Sequence, residues 1–499
     1  MAGVAVSPLE TAMNLELFDI QGIVGRGYGK HPSAAYLLLE VESPALARRW
    51  LAEQVERVHT CEQAPDPDAP CFNIAFTHAG LEAFGLDAEA LNTFPSELKE
   101  GMTEPHRSRA LGDEGGAADP ENSPRHWDWG GTPTGQRPVH LMLMVFAPSE
   151  ADLETTIAEQ SLLLGPGGLS LVRRLHTALL ADQEGGVREH FGFRDAISQP
   201  GVAGLHRATA GQTLVPAGEF ILGYENAYGL LTECPRVHRS RDPAGLLPPA
   251  EFGTHDLGRN GTYLVVRQLG QRVRAFWDYL DAVSRDPDGA ANPQRRVALA
   301  ARMVGRWPSG APLVESPTED DPARAMANSF GFHQSDPQGL RCPLGAHIRR
   351  SNPRDSLDPA PGTAASLAVN ATHRLLRRGR TYGPPLSTSF DPDEILQADE
   401  GEERGIHFIC INANITRQFE FVQRSWINNS QFDGLLDETD PLLGTRRLPS
   451  SRPTDHFTIP GCPVRQRLSG LPTFVVVRGG AYFFLPSISA IRYLASLTS

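Results

Sequence analysis

Apolar runs of strand length recur along the chain, and several are followed by a segment with helical spacing. AAYLLLEV (34–41) is continuous enough to be a buried strand, and SPALARRWLAEQVERV (43–58) follows with apolar positions at helical intervals. Ser43 is placed to cap that helix. CFNIAFTHAGLEAFGL (71–86) repeats the pattern, as does VHLMLMVFAPSEADLETTIAEQ (139–160), where Ser149 and Asp152 stand like a capping box with the shorter acid. The second half contains NGTYLVVRQLGQRVRAFWDYL (260–280), GIHFICINANITRQFEFVQRSW (405–426) and PTFVVVRGGAYFFLPSISAIRYLASL (472–497). The last predicts paired strands around Gly479 and Gly480, then a helix. The parallel between the halves predicts a duplicated α+β unit: two open sheets, each with helices packed on one side. Loops rich in Gly, Pro and charge interrupt the order at 101–137, 233–257 and 351–371. The second of these reads as an inter-domain connector.

The chain has 499 residues, enough for two or three domains or one bilobal unit. A net charge of −13 argues against general nucleic-acid binding, which relies on clustered Lys and Arg. The six cysteines form no C-x-x-C pair, so reduced and mostly buried thiols are expected. The opening MAGVAVSPLETAMNLELFDIQG has no secretory pattern and no twin arginine, and VHLMLMVFA (139–147) is too short to span a bilayer. A cytoplasmic location without membrane contact is the expectation. VGRGYGKH (24–31) meets neither phosphate-loop spacing, and reads as a turn into the first strand. No G-x-S-x-G or H-E-x-x-H occurs, which argues against a serine hydrolase or a zinc protease.

Three stretches carry chemistry. CPLGAHIRRSNPRD (342–355) sets His347 beside Arg349, Arg350 and Arg354. A zinc ion gains nothing from guanidinium neighbours, but an iron porphyrin does. Its iron takes a neutral imidazole, and its propionates suit the arginine fork, so Arg349 or Arg350 is a candidate clamp. The plainer reading is a loop histidine among solvated arginines. HFGFRDAISQPG (190–201) sets Asp195 in an aromatic loop, where desolvation favours a carboxyl that trades protons near neutral pH. HRLLRRGRTYGPP (373–385) offers Arg377 on a short apolar segment. A turn aspartate and a surface salt bridge are the plainer readings of these two. Together, a carboxylate and a cation near an iron suit peroxide cleavage: the acid moves a proton between the oxygens, and the arginine stabilises the developing anion.

These stretches resemble the dye-decolorizing peroxidases, and the resemblance runs through nearly the whole chain. FDIQGIVGRGYGKHPSAAYLLLEV looks like the family's opening strand. Residues 100–131 resemble its first-domain loop, and GFRDAISQP stands where the family has G-F-x-D-G. CPLGAHIRRSNPRD is similar to the proximal-histidine segment, and LLRRGRTYG to the distal-arginine segment. INANITRQFEFVQRSWINNSQFDGLLDETDPLLG (411–444) is typical of the longer branch.

The resemblance implies an α+β fold of two ferredoxin-like domains, each an antiparallel sheet with packed helices. The expected boundaries are 1–215 for the domain with the distal Asp loop, 216–257 for a connector and 258–499 for the haem-binding domain. It implies haem b, one per chain, with His347 as axial iron ligand, Asp195 as distal acid/base and Arg377 as distal cation. Arg377 is preferred over Arg374 and Arg378 because the family places this arginine two residues before the glycine, here Gly379. Arg350 is the propionate-clamp candidate. Glu420 is a candidate acceptor for the second N–H of His347, with a surface helical glutamate as the equal alternative.

The implied reaction reduces hydrogen peroxide and oxidises organic donors such as dyes or phenolics. Surface Tyr or Trp residues are implied relays for bulky donors; Trp277, Tyr382 and Trp426 are the aromatic candidates, with core packing as their plainer role. A haem-binding or haem-handling protein with little turnover is the alternative, and an α+β enzyme without haem is a third reading. One departure stands out. Ala196 replaces the glycine of G-F-x-D-G, which matters only where that position needs positive φ. Oligomeric state and physiological donor are left open.

Overall fold

The computed structural model describes residues 15–114, 121–132, 135–177, 179–182, 185–207, 214–446 and 452–498. Most of the segment inspected for a leader, and residues 208–213 near the end of the expected first domain, lie outside these. The apolar runs form strands because they are buried on both faces. β1 (Ser33–Val41), β2 (Cys71–Phe76), β3 (Leu141–Ala147) and β4 (Leu169–Thr177) come from the first half. β5 (Thr262–Gln271), β6 (Leu376–Arg377), β7 (Arg380–Tyr382), β8 (Gly405–Asn412) and β9 (Val475–Leu485) come from the second. β2 and β3 are buried at every position. That is why their sequences lack the alternation of a half-exposed strand.

The two halves repeat one strand order. The first runs β2-β3-β1-β4 and the second β6-β8-β5-β9, every pair antiparallel, with β7 also on β8. Taking β6 and β7 as one broken strand, each half has its third strand between second and first, and its fourth beside the first. This is the ferredoxin-like order. The expectation of two separate sheets needs one amendment. β9 and β2 meet at Phe484 and Phe76, so the halves join into one nine-stranded sheet.

The sheet curls until its ends approach. The Nε2 of His407 on β8 lies 2.9 Å from the carbonyl of His176 on β4, and the His407 ring meets Tyr36 on β1. Drawing the ends together shields edges that would otherwise pair with other chains. Alternate residues of each strand then serve two cores. Ala35, Leu37 and Leu39 of β1 pack under helices α1 (Pro44–Gln54), α2 (Glu150–Leu164) and α6 (Ile488–Ser496). Ala34, Tyr36 and Leu38 face a second cluster with Met142, Met144, Ile409 and Phe483. A third core holds α3 (Val273–Ser284) and α4 (Pro293–Val304) against Phe457 and Phe474. Beside α4 packs α5 (His347–Ser351), a single turn and a half.

Local details differ from the pattern in understandable ways. Ser43 occupies the cap position of α1, but its side chain makes no capping bond and Pro44 opens the helix. Ser149 accepts the Asp152 N–H at 3.2 Å and donates to its carboxylate, so the box forms as a Ser–Asp pair. Gly479 and Gly480 do not separate two strands. They follow a bulge within β9, where a Cβ at Gly479 would lie 2.5 Å from the Trp129 indole nitrogen. The HWDWGG loop packs there, with Trp129 donating to Gln268 at 2.9 Å. Residues 236–238 and 254–256 of the expected connector pair as a short ribbon. Cys61, Cys71, Cys342 and Cys410 are buried and Cys462 is exposed; none is in a disulfide.

Candidate active site

A cavity of about 270 Å³ opens between the sheet and the helices of the second half. His347, Asp195 and Arg377 all line it, although 182 positions separate the last two. Its walls are largely apolar, with Phe191, Phe193, Leu269, Phe408, Phe419 and Val475 among them.

His347 begins α5, and its Nδ1 donates to Asp440 Oδ2 at 2.9 Å. Asp440 is fully buried, and its Oδ1 accepts the N–H groups of Leu442 and Leu443, each at 2.9 Å. Burial opposes charge on the imidazole, but the Asp440 carboxylate outweighs it and holds the His347 pKa above its ordinary value. Burial opposes charge on Asp440 as well. The imidazole, the Leu443 N–H and Arg350 prevail, and its carboxyl is held below the usual range. With Nδ1 committed, Nε2 is the ring nitrogen without a protein partner among the described residues, and the ring lines the cavity.

Asp440 therefore replaces Glu420 as the partner of His347. Glu420 lies in a π-helical segment (Thr416–Glu420) and does not line the cavity. It accepts from Arg107 Nη1 at 2.9 Å and from Tyr482 Oη at 2.8 Å, a part-buried structural cluster in which Glu100 also pairs with Arg107. Asp440 was missed because it sits in an irregular loop, 93 residues from His347.

Asp195 and Arg377 are joined by a contact of 3.3 Å from Nη1 to Oδ1. The Ala196 N–H donates to the same Oδ1 at 2.6 Å, leaving Oδ2 without a partner among the described residues. Arg377 leaves β6 beside Gln199, which accepts its backbone N–H at 3.1 Å. The aromatic loop does not enclose Asp195, whose side chain is 40% exposed. The desolvated carboxyl expected there belongs to Glu189, which burial pushes up to about 7. Ala196 has φ of +63°, so the position is left-handed and alanine is strained in it.

The arginines divide by what they face. Arg350 is fully buried and spends its guanidinium on the carbonyls of Trp426 and Glu438, at 2.7 and 2.8 Å. It does not line the cavity, so it is not placed to clamp a propionate; it braces the segments around Asp440. Arg349 is held in the same way by the carbonyls of Asp336 and Cys342. Arg378 turns to the carbonyls of Ile23 and Val24. Arg194, Arg306, Arg354, Arg374 and Arg377 remain around the cavity. Arg354 also binds the carbonyls of Asn328 and Phe330. The Arg374 guanidinium has no partner among the described residues, and burial together with Arg377 pushes it down to about 10. An apolar cavity with one free imidazole nitrogen and an unpaired cation at its wall fits a flat iron porphyrin with carboxylate arms. Trp277, Tyr382 and Trp426 are all buried, in keeping with core packing.

No family profile matches the chain. A dye-decolorizing peroxidase of Mycena epipterygia is 30% identical, covering 99% of this chain and 89% of its own length. One from Mycetinis scorodonius is 29% identical, covering 98% of this chain and 89% of its own. Among solved structures, an ancestral D-type dye-decolorizing peroxidase superposes with a TM-score of 0.75 at 28% identity, covering 96% of this chain and 99% of that one. A dye-decolorizing peroxidase in complex with 2,6-dimethoxyphenol gives 0.73 at 26% identity, covering 97% and 100%. The fold is thus that of a haem peroxidase built from two ferredoxin-like halves. The chain belongs to the dye-decolorizing peroxidase family. Among the described residues no helix is long and apolar enough to cross a membrane.

Two predictions follow from this geometry. Replacing Ala196 with Gly relieves the left-handed strain and is expected to raise unfolding stability by about 1 kcal/mol, read from urea titrations. An unchanged or lower midpoint contradicts that strain. Glu420→Ala removes one of the two carboxylates paired with Arg107, Glu100 remaining at 2.8 Å, and is expected to cost about 1–2 kcal/mol while leaving the absorption of the bound haem unaltered. A shifted haem spectrum in that variant would return Glu420 to the histidine's side.

Proposed function

We propose that this chain reduces hydrogen peroxide and oxidises organic donors such as dyes and phenolics. In this reading one haem b per chain is held by His347, with Asp195 as acid/base and Arg377 as supporting cation. The observation that carries the reading is that one cavity gathers a histidine with its Nε2 free and an aspartate–arginine pair. When bound, the haem supplies the redox chemistry: electrons for the peroxide, later replaced from the donor.

The chain's own residues supply the rest. Asp440 orients the His347 ring and makes Nε2 a stronger donor to a metal. Asp195 Oδ2 is free to take the proton from one peroxide oxygen and deliver it to the other, so water is the leaving group. Arg377 holds Asp195 in place through Oδ1 and offers charge to the anion that forms as the O–O bond breaks. The cofactor's carboxylates fall to Arg374 and Arg354 in place of Arg350, since both line the cavity and the Arg374 guanidinium has no other partner among the described residues. Apolar walls keep water from competing for the site.

The test uses haem-loaded Arg377→Leu and Asp195→Asn. Both are expected to bind haem like wild type, and to react with peroxide about 100-fold or more slowly in stopped-flow mixing. Arg377→Leu at the wild-type rate would overturn the assignment of the arginine. Wild-type protein that binds haem but is only bleached by peroxide would instead favour haem handling.

A further inference from the structure

Glu189 lines the same cavity as Asp195 but has no part in the chemistry described above. Its Oε1 accepts the Phe193 N–H and its Oε2 the Phe191 N–H, each at 2.9 Å. Oε2 also accepts from Gln271 Nε2 at 2.7 Å, and Gln271 ends β5 in the middle of the sheet. The segment closes on itself around this carboxylate. The Glu189 N–H bonds the Phe193 carbonyl at 3.0 Å, and the Asp195 N–H bonds the Val187 carbonyl at 2.9 Å. Phe191 packs its ring, tilted by 37°, against Phe276 of α3, 4.6 Å between centroids. Asp195 is thus carried on a loop that is wrapped around one carboxylate, and that carboxylate is tied to the sheet by one side chain.

We propose that Glu189 is a positioning residue for the peroxide reaction. As a carboxylate it closes the 189–193 turn and fastens it to β5 through Gln271, which sets where Asp195 stands; protonation loosens that hold. The proposal rests on Asp195 being the acid/base.

The argument is one of donors and acceptors. The ionised carboxylate offers lone pairs to all three N–H groups. A proton on either oxygen faces an N–H group already there, so at least one donor loses its acceptor. Burial drives Glu189 up to about 7; the Phe191, Gln271 and Phe193 donors oppose that, and the negative charge of Asp195 adds to it. The change therefore falls near neutral pH. Other charges do not replace these partners. Arg188, on the same loop, is paired with Asp182 and the carbonyls of Gly192 and Pro308. Arg404, whose carbonyl accepts the Gln271 N–H, is itself held by the carbonyls of Pro384, Glu400 and Glu402. Arg194, Arg306, Arg354, Arg374, Arg377 and His347 share the cavity without a hydrogen bond to Glu189. Phe276 contributes no charge.

The test compares haem-loaded wild type, Glu189→Gln and Gln271→Leu by two readouts. One is the infrared band of a protonated carboxyl, followed across neutral pH. The other is the second-order rate with hydrogen peroxide over the same range. In wild type both are expected to titrate together near the Glu189 midpoint, with the faster rate on the alkaline side. Glu189→Gln is expected to lose both titrations. Gln271→Leu removes a donor to the ionised form, so both midpoints are expected to rise by about 1 pH unit. A rate step that survives in Glu189→Gln, or midpoints unmoved in Gln271→Leu, overturns the proposal. Gln271→Leu carries the test alone should Glu189→Gln fail to fold. Protein that is inert to peroxide at every pH speaks against the peroxidase reading. The infrared midpoints still decide whether Gln271 holds the Glu189 carboxylate, and unmoved ones still overturn the proposal.

Discussion

The hydrogen bond from His347 Nδ1 to Asp440 decides what this cavity can hold. An imidazole has two nitrogens, and committing one as donor leaves the other as a lone pair for the cavity. Asp440 makes the commitment firm because it is buried and has no water to turn to. Such a charge is stable only when every lone pair is used. The Leu442 and Leu443 N–H groups take Oδ1, and Arg446 binds the carbonyls of Asp440, Pro441 and Gly444 that shape the loop. Arg350, three residues after His347, reaches the carbonyls of Trp426 and Glu438 in the stretch that leads into that loop. The helix carrying the imidazole and the loop carrying its partner are therefore held as one piece.

The same economy explains why so many arginines surround one site. A buried guanidinium needs acceptors, and backbone carbonyls in irregular segments need donors. Arg349, Arg350 and Arg378 each meet that need by satisfying carbonyls, and so stitch loops that have no regular ladder. Arg306 and Arg354 do the same at the cavity wall, and Arg374 and Arg377 add charge there, opposed in the cavity by the carboxyl groups of Asp195 and Glu189. That balance suits a cofactor with carboxylate arms and a peroxide that becomes more anionic as it is cleaved.

The strands were legible because burial on both faces writes continuous apolar runs, as in AAYLLLEV and LMLMVFA. The duplication showed in the strand–helix rhythm. The joining of the halves did not, since it rests on a single pair of positions, Phe484 and Phe76. His347, Asp195 and Arg377 were readable as residue types beside telling neighbours, and the cavity gathers all three. Arg350 was misjudged because adjacency along α5 does not say which way a side chain points. Asp440 and Glu189 were missed for a related reason: each acts through backbone N–H groups and a distant partner, which leave no period or motif. Ala196 was visible as a departure, but only its left-handed backbone shows that the departure carries strain.

The central claim is that His347 is the anchor of the cofactor. The most direct test is a haem titration of the apo-protein, followed in the Soret region, for wild type and His347→Gly with and without added imidazole. Wild type is expected to saturate with a histidine-ligated spectrum at one haem per chain. His347→Gly is expected to lose that spectrum and regain it when imidazole fills the space left by the side chain. A variant that shows the wild-type spectrum without imidazole would contradict the account, because the iron would then be held by another residue.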